Sequence, residues 1–473
     1  MTELEAVTVV AQEQPLIDRA QSGYVDLINS DQVQAIPTNG RNFADLVALS
    51  PAVTLGVGDG SGGNLSLGGG RRGANLIQID GAGSTGTFFG GEARGSDRIP
   101  FAYSIEAVRE FQVVTNAYDV EYGFFAGGVI NAVTKSGANR FRGSVFGYLR
   151  DENLTGQDFF GNAATEFNSR QLGVTFSGPI IRDKMHFYVS LERQDRDEPI
   201  LGLPAPGSTP DPSTGIHPDS VQRLLDILRN TYGVTEQAGR FTQTQDETSI
   251  FGRLDWQLSD RHRLTLRHNY TDLNQQFDRI STNELRGNGG VFLNTGNSTV
   301  LSVHSILSRT VLNEFRVQRA TEPRPREATS LLPQGRVTIR SDFPGGVQTS
   351  INAECCNDPV LPNRLDETTW EVADNLHVRR GAHAVKLGVH ANRFSYENFF
   401  FFNQQGEFRF TNTTNFQNRI ASQFTRALPN PGPDGLFFTA DDLIPLAIYD
   451  VNEVAVYAQD TWEATDRLSL TLG

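Results

Sequence analysis

The sequence predicts a small α+β domain followed by an antiparallel transmembrane β-barrel, and three observations predict it. From residue 137 onward, apolar and polar residues alternate with period two in segments of about 10–14 residues. The connections between these segments alternate between short and long. No apolar run approaches the roughly 18 residues of a membrane helix; the densest, Leu443–Tyr449, contains Pro445. A barrel strand needs an apolar residue only at every second position, so a mean hydropathy of −0.35 is compatible with membrane crossing.

Composition narrows the classes further. The 473 residues are 38% apolar and 20% charged, with 55 acidic against 41 basic residues and a net charge of −14. That argues against a nucleic-acid partner, whose footprint is a basic patch. The two cysteines, Cys355 and Cys356, are adjacent, which fits neither a metal spacing nor a disulfide framework. They read as loop thiols or a local vicinal disulfide. Met1–Val10 shows neither a basic nor an apolar signal region, and Leu468–Gly473 stops inside an alternating segment. Both ends lead to the expectation that the chain is a piece of something longer.

Up to about residue 136 the pattern is mixed. Asn42–Leu49 carries Phe43, Leu46, Val47 and Leu49 near helical spacing, and Pro51 ends it. Asn64–Leu67, Asn75–Asp80, Glu110–Thr115 and Gly127–Thr134 read as strands, and Ile105–Arg109 as a helical turn. Gly56–Gly63 and Gly68–Gly70 lack both a Gly-x-Gly-x-x-Gly pattern and a Walker lysine, so they read as tight turns.

The remaining chain reads as successive strands. In Ser169–Ile180, Leu172, Val174 and Phe176 share one face and Gly173, Thr175 and Ser177 the other. In Thr248–Ser259, Ile250, Leu254, Trp256 and Leu258 oppose Phe251, Arg253, Asp255 and Gln257. Arg263–Thr271 and His383–Ser395 alternate likewise, and further candidates are Arg140–Arg150, Met185–Arg196, Thr299–Ser308, Val311–Thr321, Thr368–Val378, Glu407–Thr411, Glu453–Glu463 and the broken Ser469–Gly473. Short turns at Ile181–Lys184, Ser259–His262, Ser308–Thr310, Arg379–Ala382 and Ala464–Arg467 alternate with long polar connections. Tight turns on one side and long loops on the other is the topology of outer-membrane barrels. In lipid every backbone group must find a partner within the protein, so the sheet has to close, with one face to lipid and one to a wet lumen.

The first domain resembles the plug domain of TonB-dependent outer-membrane transporters. The residues that carry the resemblance occur in order: Arg72–Gly73, Ile79–Gly81, Ile105–Val108, Tyr122–Gly123, Gly127–Asn131 and Thr134–Lys135. Ile36–Pro51, Phe141–Tyr148 and Tyr457–Trp462 are similar to the Oar-like branch, whose members usually carry a carboxypeptidase-regulatory-like domain ahead of the plug. The resemblance implies a division into an N-terminal segment 1–35, a plug domain 36–136 and a partial barrel 137–473. It also implies an incomplete barrel, because about 12 strands are visible where the family has about 22.

The resemblance further implies uptake of an extracellular ligand across the bacterial outer membrane, driven by a periplasmic TonB-type partner that uses the proton-motive force to displace the plug. The ligand class stays open among peptide, carbohydrate and chelate. The alternative is a surface binding or assembly protein that does not transport. Glu5, Ala6, Val7, Thr8, Val9, Val10 and Ala11 form the candidate TonB box, an extended β-branched segment able to add as a strand to a partner sheet. Phe88, Phe89, Arg94, Asp97, Arg98 and Tyr103 are the ligand-binding candidates, with plug–wall packing as the competing reading. Asp434, Asp441 and Asp442 are a weak calcium candidate without EF-hand spacing. Val221, Leu224, Leu225 and Leu228 put an apolar stripe on a helix over His217–Asn230, read as packing on neighbouring loops or the barrel rim, with a lid or partner-binding helix as the alternative. No catalytic constellation or cofactor motif emerges, so the expectation is a non-enzyme without a cofactor.

Overall fold

The computed structural model describes residues 24–35, 43–55, 65–70, 74–90, 93–94, 103–115, 119–123, 127–157, 166–278, 280–437, 439, 441–465 and 467–473. The candidate TonB box, Asp97 and Arg98 lie outside them.

The N-terminal domain begins with β1 (Tyr24–Asn29), α1 (Ser30–Ala35) and α2 (Phe43–Val47). A small hairpin follows, β2 (Val53–Leu55) with β3 (Leu65–Leu67). Next come β4 (Leu76–Ile79), β5 (Ala82–Gly83), β6 (Val108–Thr115) and β7 (Val129–Thr134). Its main sheet has the order β1-β6-β7-β4-β5 and is antiparallel except where β4 runs parallel to β7. Thus 24–29, upstream of the expected domain start, belong to this sheet. Its core gathers Ile28, Leu46, Val47, Ile77, Phe111 and Ile130, and continues into Tyr188 and Phe251 of the following strands.

The second part is one antiparallel sheet. Its first five strands are β8 (Arg142–Asp151), β9 (Asn168–Ile181), β10 (Met185–Leu201), β11 (Arg240–Ser259) and β12 (His262–Asp278). β13 (Gly290–Ser308) and β14 (Val311–Ala328) continue it. After β15 (Gln334–Phe343) and β16 (Val347–Cys355), which lie elsewhere, β17 (Asn363–Arg380) and β18 (His383–Phe400) resume it. β19 (Glu407–Phe410) and β20 (Gln423–Thr425) again lie outside, and β21 (Leu446–Thr465) and β22 (Leu468–Leu472) end it. Among the described residues this sheet has eleven strands, with β8 and β22 as its two open edges.

Its two faces are the reverse of a soluble protein's. On β9 Leu172, Val174 and Phe176 are exposed while Gln171 and Ser177 are buried. On β21 Val456 is 81% exposed while Gln459 is 6% exposed. Apolar side chains point outward to where lipid would lie, and polar ones point inward against the N-terminal domain. That domain touches β10, β11, β12, β14, β17, β18 and β21, so the sheet bends around it.

Two expectations are corrected here. Glu407–Thr411 is not a strand of the large sheet. Its four paired residues join β15 in parallel within the separate sheet β16-β15-β19-β20. Four residues are too short to cross a bilayer, which takes about 9–11. The strands themselves are longer than expected, up to 20 residues in β11 and β21. Much of what reads as long polar loop is strand continuing past the apolar belt, where alternation is no longer apolar against polar.

The separate sheet and α3 (Pro218–Ile227) form an outer module around Val221, Leu224, Leu228, Val337, Ile339 and Phe416. The apolar stripe of α3 therefore packs on neighbouring loops. His217 caps this helix by accepting from the Asp219 amide at 3.2 Å. Cys355 and Cys356 form a vicinal disulfide buried in the same core.

Candidate functional site

Several of the dispersed motif residues of the N-terminal domain meet in one knot. β4 ends in Asp80 and Gly81, both at positive φ (47° and 77°). The Asp80 carboxylate accepts from the Thr134 amide at 2.9 Å and its hydroxyl at 2.7 Å. The Gly81 amide donates to Asn131 Oδ1 at 3.0 Å. A Cβ at Gly81 would sit 2.8 Å from Arg316 Nη1, so glycine serves both the backbone conformation and the approach of the wall. Lys135 lies 3.8 Å from Glu106 and its amide donates to the Ala107 carbonyl.

Inward-facing side chains of the large sheet hold this knot. Arg253 donates to Thr134 Oγ1 at 2.8 Å and Arg267 to the Ile79 carbonyl at 2.6 Å. Their guanidinium groups lie 3.5 and 3.3 Å from Asp80. Elsewhere the wall supplies acceptors. Glu371 takes the Gly83 amide at 2.8 Å, Glu367 takes the Thr87 amide and hydroxyl at 3.3 and 3.1 Å, and Glu192 takes the Ser104 hydroxyl at 2.5 Å. Lys386 lies 2.7 Å from both Asp119 and Glu121, and Gln459 accepts from the Val120 amide at 3.2 Å.

Between the domain and β17, β18 and β21 lies a cavity of about 510 Å³, lined by Gln78, Phe88, Arg94, Glu371, His390 and Tyr449 among others. A smaller recess of about 270 Å³ adjoins it at Phe88, walled by Phe89, Phe292, Arg324, Arg326 and Phe400. Phe88 meets Phe89 and Tyr396 edge-on, with ring centroids 4.9 and 5.7 Å apart. Arg324 lies over Phe89 at 5.5 Å and Arg326 over Phe292 at 4.8 Å. Aromatic faces with a few charged groups suit a small polar ligand.

A family model described as an outer membrane beta barrel domain matches residues 133–204 and 198–473. The chain belongs to this outer-membrane β-barrel family. Its place is the bacterial outer membrane. Part of this barrel protein is similar to the TonB-dependent transporter Oar of Myxococcus xanthus, 33% identical over 162 residues, which cover 31% of this chain and 14% of that one. Among solved structures it resembles the outer-membrane transporter YddB of Escherichia coli (TM-score 0.60, 14% identity, 94% of this chain and 55% of that chain). It also resembles the siderophore receptor PirA of Acinetobacter baumannii (TM-score 0.53, 16% identity, 95% and 56%). A third is the ferric enterobactin receptor PfeA of Pseudomonas aeruginosa (TM-score 0.55, 14% identity, 96% and 57%). The barrel protein thus spans a seventh of the curated relative and little more than half of these structures.

Of the sequence-predicted site residues, the structure brings Phe88 and Arg94 to the large cavity and Phe88 and Phe89 to the recess. Phe89 is 71% exposed. Arg94 is buried and donates to Thr369 Oγ1 at 3.1 Å, a contact with the wall. Tyr103 is not among the lining residues. It is buried in the domain core, 6.2 Å from Phe251 between ring centroids. The carboxylates of Asp434, Asp441 and Asp442 are turned onto their own loop. Asp441 accepts from the Thr439 hydroxyl at 2.8 Å, which lowers its pKa, and Asp442 accepts from the Thr439 amide at 3.0 Å. Among the described residues no group of three His, Cys, Asp or Glu side chains is arranged to hold a metal. Sequence reasoning missed the wall groups Glu192, Arg253, Arg267, Glu371 and Lys386. Their signal was a charge at an inward position of an alternating strand.

Proposed function

We propose that this chain is the ligand-receiving part of a TonB-dependent outer-membrane receptor. The N-terminal domain is its plug, and the eleven strands are about half of a barrel of about 22 strands. The observation that carries this reading is how the domain is held. Among its contacts with β12, β17, β18 and β21 are hydrogen bonds and ion pairs, which water can replace when the domain moves. The ligand enters from the outer module and rests against Phe88, Phe89 and Arg94, with Asp97 and Arg98 as further candidate contacts from their nearness in sequence. PirA and PfeA, by name receptors for a siderophore and for ferric enterobactin, support a chelate. The similarity to Oar supports transport. The bond-making groups of an enzyme have no role here. The receptor moves its ligand with energy imported from the inner membrane through TonB, engaged by Glu5–Ala11.

The test is a calorimetric titration of a purified periplasmic TonB domain into the full chain in detergent. Binding is expected with the intact chain and lost when Glu5–Ala11 is deleted. Unchanged binding after the deletion, or none to the intact chain, overturns the reading.

A further inference from the structure

The 119–123 segment of the N-terminal domain meets the large sheet close to its short turns. Asp119 lines a cavity of about 580 Å³ there, with His377 at the end of β17, Lys386 of β18, Gln459 of β21 and residues of the turns Ser308–Thr310 and Arg379–Ala382. One contact of this segment differs from the others, because its charge is not fixed. His377 Nε2 lies 3.7 Å from Glu121 of the domain and 3.8 Å from Glu314 of β14. The same nitrogen thus faces one carboxylate from each side of the seam, and both separations are longer than a hydrogen bond. A neutral imidazole offers Nε2 either as a lone pair or as a single donor, which serves at most one of the two carboxylates. An imidazolium attracts both. His377 and Glu121 keep 31% and 27% of their side chains exposed, so water can carry a proton to them.

The neighbouring charges are engaged elsewhere. Lys386, opposite His377 in the β17–β18 register, lies 2.7 Å from both Asp119 and Glu121. Arg316, two residues along β14 from Glu314, pairs with Glu371 at 3.0 Å. Arg379, two residues along β17 from His377, lies 3.7 Å from Glu463 of β21. β21 also brings Gln459 and Tyr457 to this region, both uncharged near neutral pH. On β13, His304 lies 3.4 Å from Glu314, and Arg263, opposite it on β12, pairs with Asp255 at 2.9 Å. His304 therefore pairs within the wall, whereas His377 pairs across the seam.

We propose that His377 is a proton-binding site that joins the N-terminal domain to the wall, and that one proton taken up there tightens docking of the 119–123 segment. Docking brings Glu121 to a ring that already faces Glu314, so protonation and docking favour each other. The gain is complete below about pH 6.5, the ordinary imidazole value, and is lost as pH rises beyond it. The site concerns only how the domain is held, so it stands or falls without the TonB-driven step proposed above.

Hydrogen exchange of the full chain in detergent tests it. Rates over 119–123 are divided by those of the urea-unfolded chain at the same pH, which removes the intrinsic pH dependence of exchange. Protection of 119–123 is expected to be about fivefold higher at about pH 5.5 than at about pH 8, the upper end for an ion pair that water still reaches. His377→Gln keeps a neutral polar side chain, so protection at about pH 8 should stay as it is and the rise should vanish. Glu121→Gln removes the partner on the domain side and should also abolish the rise; it is the second variant should His377→Gln unfold. Unchanged exchange in β10 and β11 shows that a variant is folded. His304→Gln, whose partner lies in the wall, should keep the rise. Protection that does not rise as pH falls, a rise that survives His377→Gln or Glu121→Gln in a folded chain, or one lost with His304→Gln overturns the assignment to His377.

Discussion

Lys386 is one of three lysines in the chain and sits on an inward position of β18 with Asp119 and Glu121 both at 2.7 Å. Its side chain is mostly buried, so removing it strands two carboxylates where water reaches them poorly. Lys386→Met is expected to weaken docking of the 119–123 segment by about 3–5 kcal/mol, the usual cost of orphaning a buried pair. The measurement is hydrogen exchange over 119–123. Adding Asp119→Asn and Glu121→Gln to the same chain should recover most of the loss, whereas a purely structural defect in β18 would not be recovered. Tyr188 gives a smaller case. Its hydroxyl donates to the Glu106 carbonyl at 2.6 Å from a ring that also packs in the domain core. Tyr188→Phe keeps the ring and should cost about 1 kcal/mol in a denaturant titration.

At the scale of elements, α3 has the pattern of a helix that is useless alone. Val221, Leu224 and Leu228 need a surface to cover, and β15 supplies it through Val337 and Ile339. Past Ile227 the chain loosens into a π-helical turn, Leu228–Tyr232, stopped by Gly233 at φ 70°. Tyr232 then stacks on Phe416 at 4.7 Å and donates to its carbonyl at 2.6 Å. Leu224→Ala should destabilise this outer module by about 2–5 kcal/mol, read as faster exchange in β15 with β10 and β11 unaffected. Just after this turn, burial pushes the Glu236 carboxyl above its ordinary value, although it accepts from the Gly287 amide at 2.9 Å. A pKa raised on folding adds stability that is complete below the unfolded value and lost as pH rises through the folded one. The module should therefore be more stable near pH 4 than at pH 7, and Glu236→Gln should flatten that slope in thermal melts. A slope unchanged by the substitution would mean that another group carries it.

At the scale of the molecule, the large sheet is open at β8 and β22, and both carry outward apolar residues such as Val145 and Leu470. A strand edge facing hydrocarbon leaves several kcal/mol of unpaired backbone at each unmet group. The 473-residue chain by itself is expected not to form a heat-modifiable, protease-resistant monomer in lipid vesicles. A stable monomeric insertion would show that these edges find partners within the chain. The same geometry fits the inverted burial: the inward faces are polar and hold a domain by hydrogen bonds, and the outward faces are apolar and, among the described residues, uncovered.

Much of this was legible in the sequence because it depends on local chemistry. Alternation in Ser169–Ile180 or Thr248–Ser259 follows from a strand with one face in lipid, and turns such as Arg379–Ala382 are too short for anything but a hairpin. The order Ile79–Gly81, Asn131, Thr134–Lys135 was visible too, through the resemblance to the plug family, and the structure shows Asp80, Gly81, Asn131 and Thr134 joined there by a positive-φ turn and hydrogen bonds. What only the tertiary structure decided depends on which distant segments meet. β14 pairs with β17 across two strands that leave to build the outer module, and β19 joins that module rather than the wall. Tyr103 goes to the core while Phe88 and Arg94 go to the cavity, although all three lie within sixteen residues of each other in sequence. Arg253, Arg267, Glu371 and Lys386 read singly as polar residues of a wet lumen. Their roles exist only because the sheet bends around the N-terminal domain, and period-two alternation records the face of a residue but not what stands opposite it.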